Sequence, residues 1–178
     1  MKIFKTTILL IITILMFAAC GNKMEKAAKN IKQMEDALLK DSTGIDIKKA
    51  KDLTDAYLAY ADEFPKDTLA PVFIFKAADI SMNISKPEQA VNLFNRVLKD
   101  YPDFRRAPDC IFMKAFLYEN VMKNLKKAEE FYKEFIKKYP NHELAKDAQI
   151  SINNLGKTPE QLIAEFEAKN DSAQTAKK

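Results

Sequence analysis

Apolar side chains recur along the chain at the spacing of one face of an α-helix. The clearest stretch contains Ala90, Phe94, Val97 and Tyr101, whose offsets of 4, 7 and 11 residues place them on a single helical stripe. Polar and charged residues occupy most positions between them. The pattern therefore predicts amphipathic helices that each bury one face.

This stripe occurs three times, and each copy ends in an aromatic residue followed by proline. Pro65, Pro102 and Pro140 lie 37 and 38 residues apart. Because proline cannot continue the hydrogen-bond ladder and restricts the residue before it, each aromatic–proline pair predicts a helix end. The stripe residues of the other two copies are Leu53, Tyr57, Tyr60 and Phe64, and Ala128, Tyr132, Phe135 and Tyr139.

Small residues recur at fixed distances after the prolines. Five residues after each proline there is an alanine. The segments that begin at the first two of these alanines have alanine, proline, isoleucine and phenylalanine at the same positions, as far as Ala78 and Ala115. A small side chain lets a neighbouring helix approach closely. The sequence thus predicts helix pairs that repeat with a period of 37–38 residues. The predicted helices are 24–40, 46–64, 68–84, 86–100, 104–122, 125–138, 142–154 and 158–168.

Several residues mark the predicted helix ends. Ser85 with Glu88 and Thr158 with Gln161 have the spacing of capping boxes, and Gly156 is suited to a left-handed cap.

The last helix is expected to seal the exposed end of the stack, as terminal repeats must. Its apolar residues are Leu162, Ile163 and Phe166, whereas residues 170–178 lack apolar anchors and are predicted to form a disordered tail.

The repeated unit resembles the tetratricopeptide repeat, a helix pair with small residues at its crossing points and a closing proline. The resemblance covers about residues 46–155 and implies an all-α solenoid of about three to four helix pairs with a C-terminal capping helix. The period exceeds the usual 34 residues. Alanine and isoleucine replace the family's first-helix Gly and Trp, at Ala78, Ala115, Ile74 and Ile111. Unrelated helical hairpins in accidental register are the alternative.

Residues 1–19 have the pattern of a signal peptide. Lys2 and Lys5 precede an apolar run at 8–17, which is too short for the about 20 apolar residues of a membrane span. The ending Ala18-Ala19-Cys20 resembles a bacterial lipobox, although Phe17 replaces the usual aliphatic residue. The resemblance implies that Cys20 is acylated and begins the mature chain, followed by a short linker to residue 23. An uncleaved anchor is the alternative.

The expected location is the periplasmic face of the bacterial outer membrane, because no acidic run follows Cys20. Long repeats that close in Tyr-Pro are similar to periplasmic lipoproteins of outer-membrane assembly (the ComL type) and to Tol-Pal-associated division coordinators. The resemblance implies a protein–protein interaction scaffold that binds a protein or peptide partner. A lipoprotein that binds small ligands or peptidoglycan fragments is the alternative function.

The composition of the chain limits the classes of fold and function to which it can belong. Only 3 glycines favour helices over a β-sandwich or barrel. Without Lys2 and Lys5, 27 basic residues face 25 acidic ones, so the chain lacks the basic footprint of nucleic-acid binding. Cys110 lies in an apolar stretch and is expected to be a buried small hydrophobe.

The chain shows no motif for catalysis or cofactor binding. Its one histidine, His142, is expected to be a surface residue, since a metal site needs several ligands at suitable spacing. We therefore expect a protein that is not an enzyme and carries no metal or cofactor.

Candidate partner-binding residues follow from the concave surface that the first helices of stacked repeats provide. These candidates are Asp79, Asn83, Glu119 and Lys123. Plain solvated positions are the alternative for all four. Five aromatic residues are candidates for either the core or the groove: Phe73, Phe75, Phe112, Phe116 and Tyr118.

Overall fold

The computed structural model describes residues 22–40 and 44–175, with side chains as far as residue 168. Within these ranges the regular secondary structure is helical throughout. The signal peptide and Cys20 lie outside the described residues. Helix α1 covers 22–39. The other helices are α2 (Ile47–Glu63), α3 (Leu69–Asn83), α4 (Pro87–Asp100), α5 (Ala107–Asn120), α6 (Leu125–Lys138), α7 (Ala145–Asn154) and α8 (Pro159–Thr175).

All eight helices expected from the sequence are present in the described residues. The all-α fold prediction is confirmed. Helix α1 begins at residue 22, so the end of the predicted 20–23 linker is already helical. Helices α5 and α7 each begin three residues later than predicted, because the segment after the aromatic–proline pair forms a turn before the helix starts.

The three aromatic–proline pairs end their helices in the same way. Phe64, Tyr101 and Tyr139 have φ values of −121°, −136° and −133° and ψ values of 57°, 59° and 58°. Each of these residues donates its backbone N–H to the carbonyl four residues earlier and accepts a hydrogen bond from the backbone N–H three residues later. The Tyr101 hydroxyl also donates to the carbonyl of Pro65, 3.1 Å away, which joins two copies of the pattern.

The other helices of the pairs end differently. Ser85 and Lys123, which follow α3 and α5, both have left-handed backbone, with φ values of 58° and 55°. The next residue donates its N–H to a carbonyl of the preceding helix, five residues back at Ser81 in the first case and six residues back at Tyr118 in the second. These bonds satisfy carbonyls that a helix end would otherwise leave unpaired.

One predicted capping box is wrong and the other is confirmed. Ser85 does not cap α4, because its left-handed backbone belongs to the end of α3; the cap residue of α4 is Lys86, which makes no side-chain cap bond. Thr158 and Gln161 form the reciprocal bonds of a capping box, at 2.9 and 3.3 Å. Gly156 has a φ of 77°, which fits the predicted left-handed cap after α7.

The chain divides into two compact units, and the N-terminal unit ends at Phe104. In this unit α3 packs against both α2 and α4. Ala78 and Ala90 are fully buried, as expected for small residues at helix crossings. Phe75 and Phe94 meet edge to face with ring centroids 5.5 Å apart. The stripe residues of α2 and α4 therefore pack against α3 and form the core of this unit.

The C-terminal unit begins at Arg105 and is built around α6, which packs against α5 and α7. Ala115 and Ala128 are fully buried, and so are the rings of Tyr132 and Phe135. Cys110 is buried as predicted, with its thiol 3.6 Å from the carbonyl of Arg106.

Helix α8 differs from the prediction in two respects. Leu162 is partly buried, but Ile163 and Phe166 are 58% and 65% exposed, so these two do not pack as sealing residues. The helix also continues to Thr175, past the predicted start of a disordered tail at 170. This part of the sequence contains neither proline nor glycine, and nothing therefore interrupts the backbone ladder.

Candidate binding clefts

The N-terminal unit contains an open, mainly apolar cleft of about 270 Å³. Three helices supply its walls, and we call it the N-terminal cleft. Residues of α1 are Glu35, Leu38 and Leu39; those of α2 are Leu53 and Tyr57; and those of α3 are Lys76, Asp79 and Ile80.

Helical periodicity explains why these side chains meet. Lys76, Asp79 and Ile80 are separated by three and four residues, so they share one face of α3. Leu53 and Tyr57 belong to the stripe of α2 and are buried at the floor. Leu39 lies at the end of α1 and is 83% exposed. The cleft therefore has a fixed floor and an apolar rim that faces solvent.

A charged network spans one side of the cleft. The Glu35 carboxylate accepts hydrogen bonds from the Tyr57 hydroxyl at 2.6 Å and from the Lys76 ammonium at 2.7 Å. Burial raises the pKa of Glu35, but these two hydrogen bonds and the positive charges of Lys76 and Lys32 outweigh burial and hold the pKa below its ordinary value. Burial and the bond to Glu35 raise the pKa of Tyr57, which remains a neutral donor.

Replacing Glu35 by glutamine should lower the free energy of unfolding by about 1–2 kcal/mol at neutral pH, because a charged acceptor of two hydrogen bonds is lost. Since the folded-state pKa of Glu35 is depressed, its contribution is present above the ordinary value of 4.5 and is lost as pH falls through the folded-state pKa. The stability difference between the two proteins should therefore shrink below pH 4.5. Urea denaturation across a pH series measures it.

The matched control is Glu25→Gln, an exposed position on the same helix. Its effect should stay within about 0.5 kcal/mol at every pH. A deficit of Glu35→Gln that is independent of pH would contradict the ionic role given to this carboxylate.

The C-terminal unit contains a larger and more polar cleft of about 390 Å³, the C-terminal cleft. Glu119 in its wall accepts a hydrogen bond from Tyr132 at 2.8 Å, and Lys157 pairs with Glu165 at 2.7 Å. Gly156 lies so close to Leu125 that a Cβ atom there would stand 3.0 Å from the leucine Cδ1. The cleft is lined by Glu119, Asn120, Lys123, Leu125, Asn154, Gly156, Lys157 and Leu162.

The four residues predicted to bind a partner fall in different places. Asp79 lines the N-terminal cleft, and Glu119 and Lys123 line the C-terminal cleft. Asn83 lines neither of these clefts; its side-chain amide donates to the carbonyl of Asp79 at 2.9 Å. The structure therefore distributes the candidates between two clefts, and their role in binding stays a prediction.

Sequence reasoning missed Glu35 and Lys76. Nothing in the spacing of single helices shows that side chains 41 residues apart form an ion pair. The five aromatic candidates lie mostly in the core: Phe73, Phe75 and Tyr118 are buried, Phe112 is partly buried against the rings of Tyr132 and Phe135, and Phe116 is 39% exposed.

A stack of aromatic rings and ammonium groups joins α5 to α6. The rings of Tyr118 and Phe131 lie parallel, 5.5 Å apart. Lys114 stands 3.9 Å from the centre of the Phe131 ring, and Lys127 stands 4.9 Å from that of Tyr118. Burial lowers the pKa of Lys114. Lys114 is buried and Lys127 is exposed, and both ammonium groups lie against ring faces, which stabilises the helix pair.

His142 is more enclosed than the surface position expected for it. Its side chain is 22% exposed, its Nδ1 accepts the backbone N–H of Leu144, and its ring meets that of Phe135 edge to face at 5.3 Å. Its Nε2 lies 3.6 Å from a carboxylate oxygen of Asp109. Among the described residues no group of three or more His, Cys, Asp or Glu side chains could hold a metal ion.

Comparison with known proteins identifies the repeats. Residues 74–103 and 109–142 each match the family model of the tetratricopeptide repeat. These segments contain most of the pair α3 and α4 and of the pair α5 and α6. No curated protein matches the chain. None of the helices in the described part of the chain is both long and apolar enough to span a membrane.

Proposed function

Starting from these two tetratricopeptide repeats, we propose that the chain is a membrane-anchored lipoprotein that acts as a protein–protein interaction scaffold in the bacterial cell envelope. Tetratricopeptide domains bind protein partners, and repeat folds present extended surfaces for them. The observation that carries the proposal is the solvent-facing apolar cleft of the N-terminal unit, in which the buried side chains of Leu53 and Tyr57 form a packed floor.

The membrane anchor is proposed from the first twenty residues alone. Their basic start, short apolar run and Ala18-Ala19-Cys20 ending support cleavage before Cys20 and acylation of its thiol. The expected site is the periplasmic face of the outer membrane, where the scaffold would serve outer-membrane assembly or the coordination of the envelope during division.

The alternative, a receptor for a small ligand or a peptidoglycan fragment, has weaker support. Sites for small molecules usually enclose about 300–1,000 Å³ and bury most of their ligand. The N-terminal cleft is smaller, at about 270 Å³, and it is open to solvent. The C-terminal cleft lies within that range, but open polar walls suit a partner surface better than an enclosed molecule. Tetratricopeptide repeats are typically non-catalytic, which supports the proposal that the chain is not an enzyme.

Site-specific photocrosslinking in living bacteria tests the scaffold. A photoreactive amino acid replaces Leu39 at the rim of the N-terminal cleft or Lys123 in the C-terminal cleft, and Lys99 on the exposed side of α4 serves as the control. We expect discrete protein adducts from at least one cleft position and none from Lys99. Adducts from neither cleft, in cells where the protein is anchored, would contradict the scaffold.

A further inference from the structure

We propose that the start of α1 docks the N-terminal unit on anionic phospholipids of the membrane that holds the acylated Cys20, with Lys26 and Lys29 at the lipid headgroups. The inference rests on the proposed lipid anchor and adds to it the protein surface that faces the bilayer. Three observations support it: the single residue between Cys20 and α1, the uneven distribution of charge along α1, and the pairing of the charged residues around its start.

The attachment between the proposed anchor and the first helix is very short. Only Gly21 separates Cys20 from α1, which begins at residue 22. Two residues of fully extended chain span at most about 7 Å. The headgroup layer on each side of a bilayer is itself about 5–7 Å thick. An acylated Cys20 would therefore keep the first turn of α1 within the headgroup layer or directly above it, whatever the tilt of the helix.

Positive charge is concentrated in the first half of α1. Residues 22–32 contain four lysines at three-residue intervals and one acidic residue, Glu25. Residues 33–39 contain two acidic residues and no basic one, and Lys40 follows the helix directly. Anionic lipids attract lysines that lie close to a membrane anchor. The half of α1 next to Cys20 is therefore the half that an anionic surface favours.

Of the four lysines, Lys26 and Lys29 are the two available to lipid. Both are exposed, and in the part of the chain that the structure describes neither ammonium takes part in an ion pair or a hydrogen bond. Because they are three residues apart, both lie on one side of α1. Lys23 is paired with Glu63 of α2, and Lys32 lies 3.8 Å from a carboxylate of its own helix.

The acidic residues at the end of α2 and in the turn that follows it are balanced within the protein. Besides the carboxylate paired with Lys23, Asp62 pairs with Arg96 at 2.5 Å. Asp67 accepts a tyrosine hydroxyl and directly follows Lys66. Glu25 offsets one of the two available lysines of α1. A positive charge therefore remains on the exposed side of the helix start.

Docking at the start of α1 keeps the N-terminal cleft away from the bilayer. Glu35, the first residue of α1 to line this cleft, lies about 20 Å along the helix axis from residue 22. A flat orientation of α1 would instead bring Lys40, at the far end of the helix, to the headgroups as well. The distribution of charge along α1 favours the first arrangement, and the labelling of Lys40 distinguishes the two.

Lysine labelling of the acylated full chain tests the proposal. The protein is studied in a non-ionic detergent and in vesicles of phosphatidylcholine mixed with the anionic lipid phosphatidylglycerol, and flotation of the vesicles shows that it is anchored. A water-soluble acetylating reagent labels exposed amines, and mass spectrometry measures each lysine. Relative to Lys40, labelling of Lys26 and Lys29 should fall at least about fivefold from detergent to vesicles, the effect expected of one lysine at an anionic surface.

Removing one charge should weaken the contact of the other lysine with lipid. In Lys26→Gln, the protection of Lys29 should decrease about two- to fivefold, whereas Lys51→Gln, an exposed position on α2, should leave it unchanged. The protection of both lysines should also decrease in vesicles of phosphatidylcholine alone. Circular dichroism confirms that each variant remains folded.

Unchanged labelling of Lys26 and Lys29 in vesicles that carry the protein would overturn the docking surface and leave the anchor intact. Equal protection in the two kinds of vesicle would also overturn it, because no anionic headgroup would then be needed. Protection of Lys40 equal to that of Lys26 would overturn it as well, because α1 would then lie flat. Failure of the protein to float with vesicles would instead reject the anchor, and the docking surface with it.

Discussion

Replacing Phe94 by alanine should lower the free energy of unfolding by about 3–5 kcal/mol, the range for truncation of a fully buried aromatic ring. The Phe94 side chain has no exposed surface, and its ring contacts that of Phe75. Removal of the ring leaves a cavity between α3 and α4, and their backbones cannot close it without disturbing the crossing at Ala78 and Ala90. Tyr132→Ala should cost a similar amount in the C-terminal unit, where that ring is equally buried.

Urea denaturation followed by circular dichroism measures both losses. Phe166→Ala is the matched control, because this ring on α8 is 65% exposed and its removal should change stability by less than about 0.5 kcal/mol. A loss below about 1 kcal/mol for Phe94→Ala would show that the ring does not contribute to a packed core.

Replacing Cys20 by alanine should abolish acylation and release the protein from the membrane. Two or three acyl chains hold a protein firmly to a bilayer, since each buried methylene contributes roughly 0.8 kcal/mol and a single chain is marginal. Alanine offers no thiol for the first acyl group. Palmitate labelling should therefore disappear, and any exported protein should move from the membrane fraction to the soluble periplasm.

Cys110→Ala is the matched control, because this thiol is buried between helices and should not be acylated. Palmitate labelling should persist in this variant. In a density gradient that separates outer from inner membranes, the labelled protein should remain with the membranes. Labelling that survives in Cys20→Ala would reject the proposed anchor.

The helices could be predicted because their signals are local. The spacing from Ala90 to Phe94 and Val97 specifies one face of a helix, and the Tyr101-Pro102 pair specifies its end. The same backbone geometry recurs at Phe64, Tyr101 and Tyr139 for that reason.

Errors arose where two local signals competed. Ser85 and Glu88 have the spacing of a capping box, yet the end of α3 requires a left-handed residue at Ser85, and Pro87 already begins α4. A serine cannot provide that backbone conformation and the extended one of a helix N-cap at the same time.

The candidate site was less predictable because it depends on distances between helices. The concave surface of the first helices predicts Asp79, but the pairing of Lys76 with Glu35 depends on the mutual rotation of α3 and α1, which the sequence pattern leaves open. The sequence predicts that Tyr57 is buried with the other stripe residues of α2. Only the structure shows that its hydroxyl donates a hydrogen bond to Glu35 while its ring stays buried.

The three aromatic–proline ends also bear on how such a chain can change in length. Each end is closed by backbone bonds to residues within four positions, at Phe64, Tyr101 and Tyr139. A segment that runs from one of these prolines to the next thus contains all the residues that form one helix end. Duplication or loss of one such segment would recreate the same joint at the new boundary, so whole hairpins are the natural increment in which this sequence can grow or shorten.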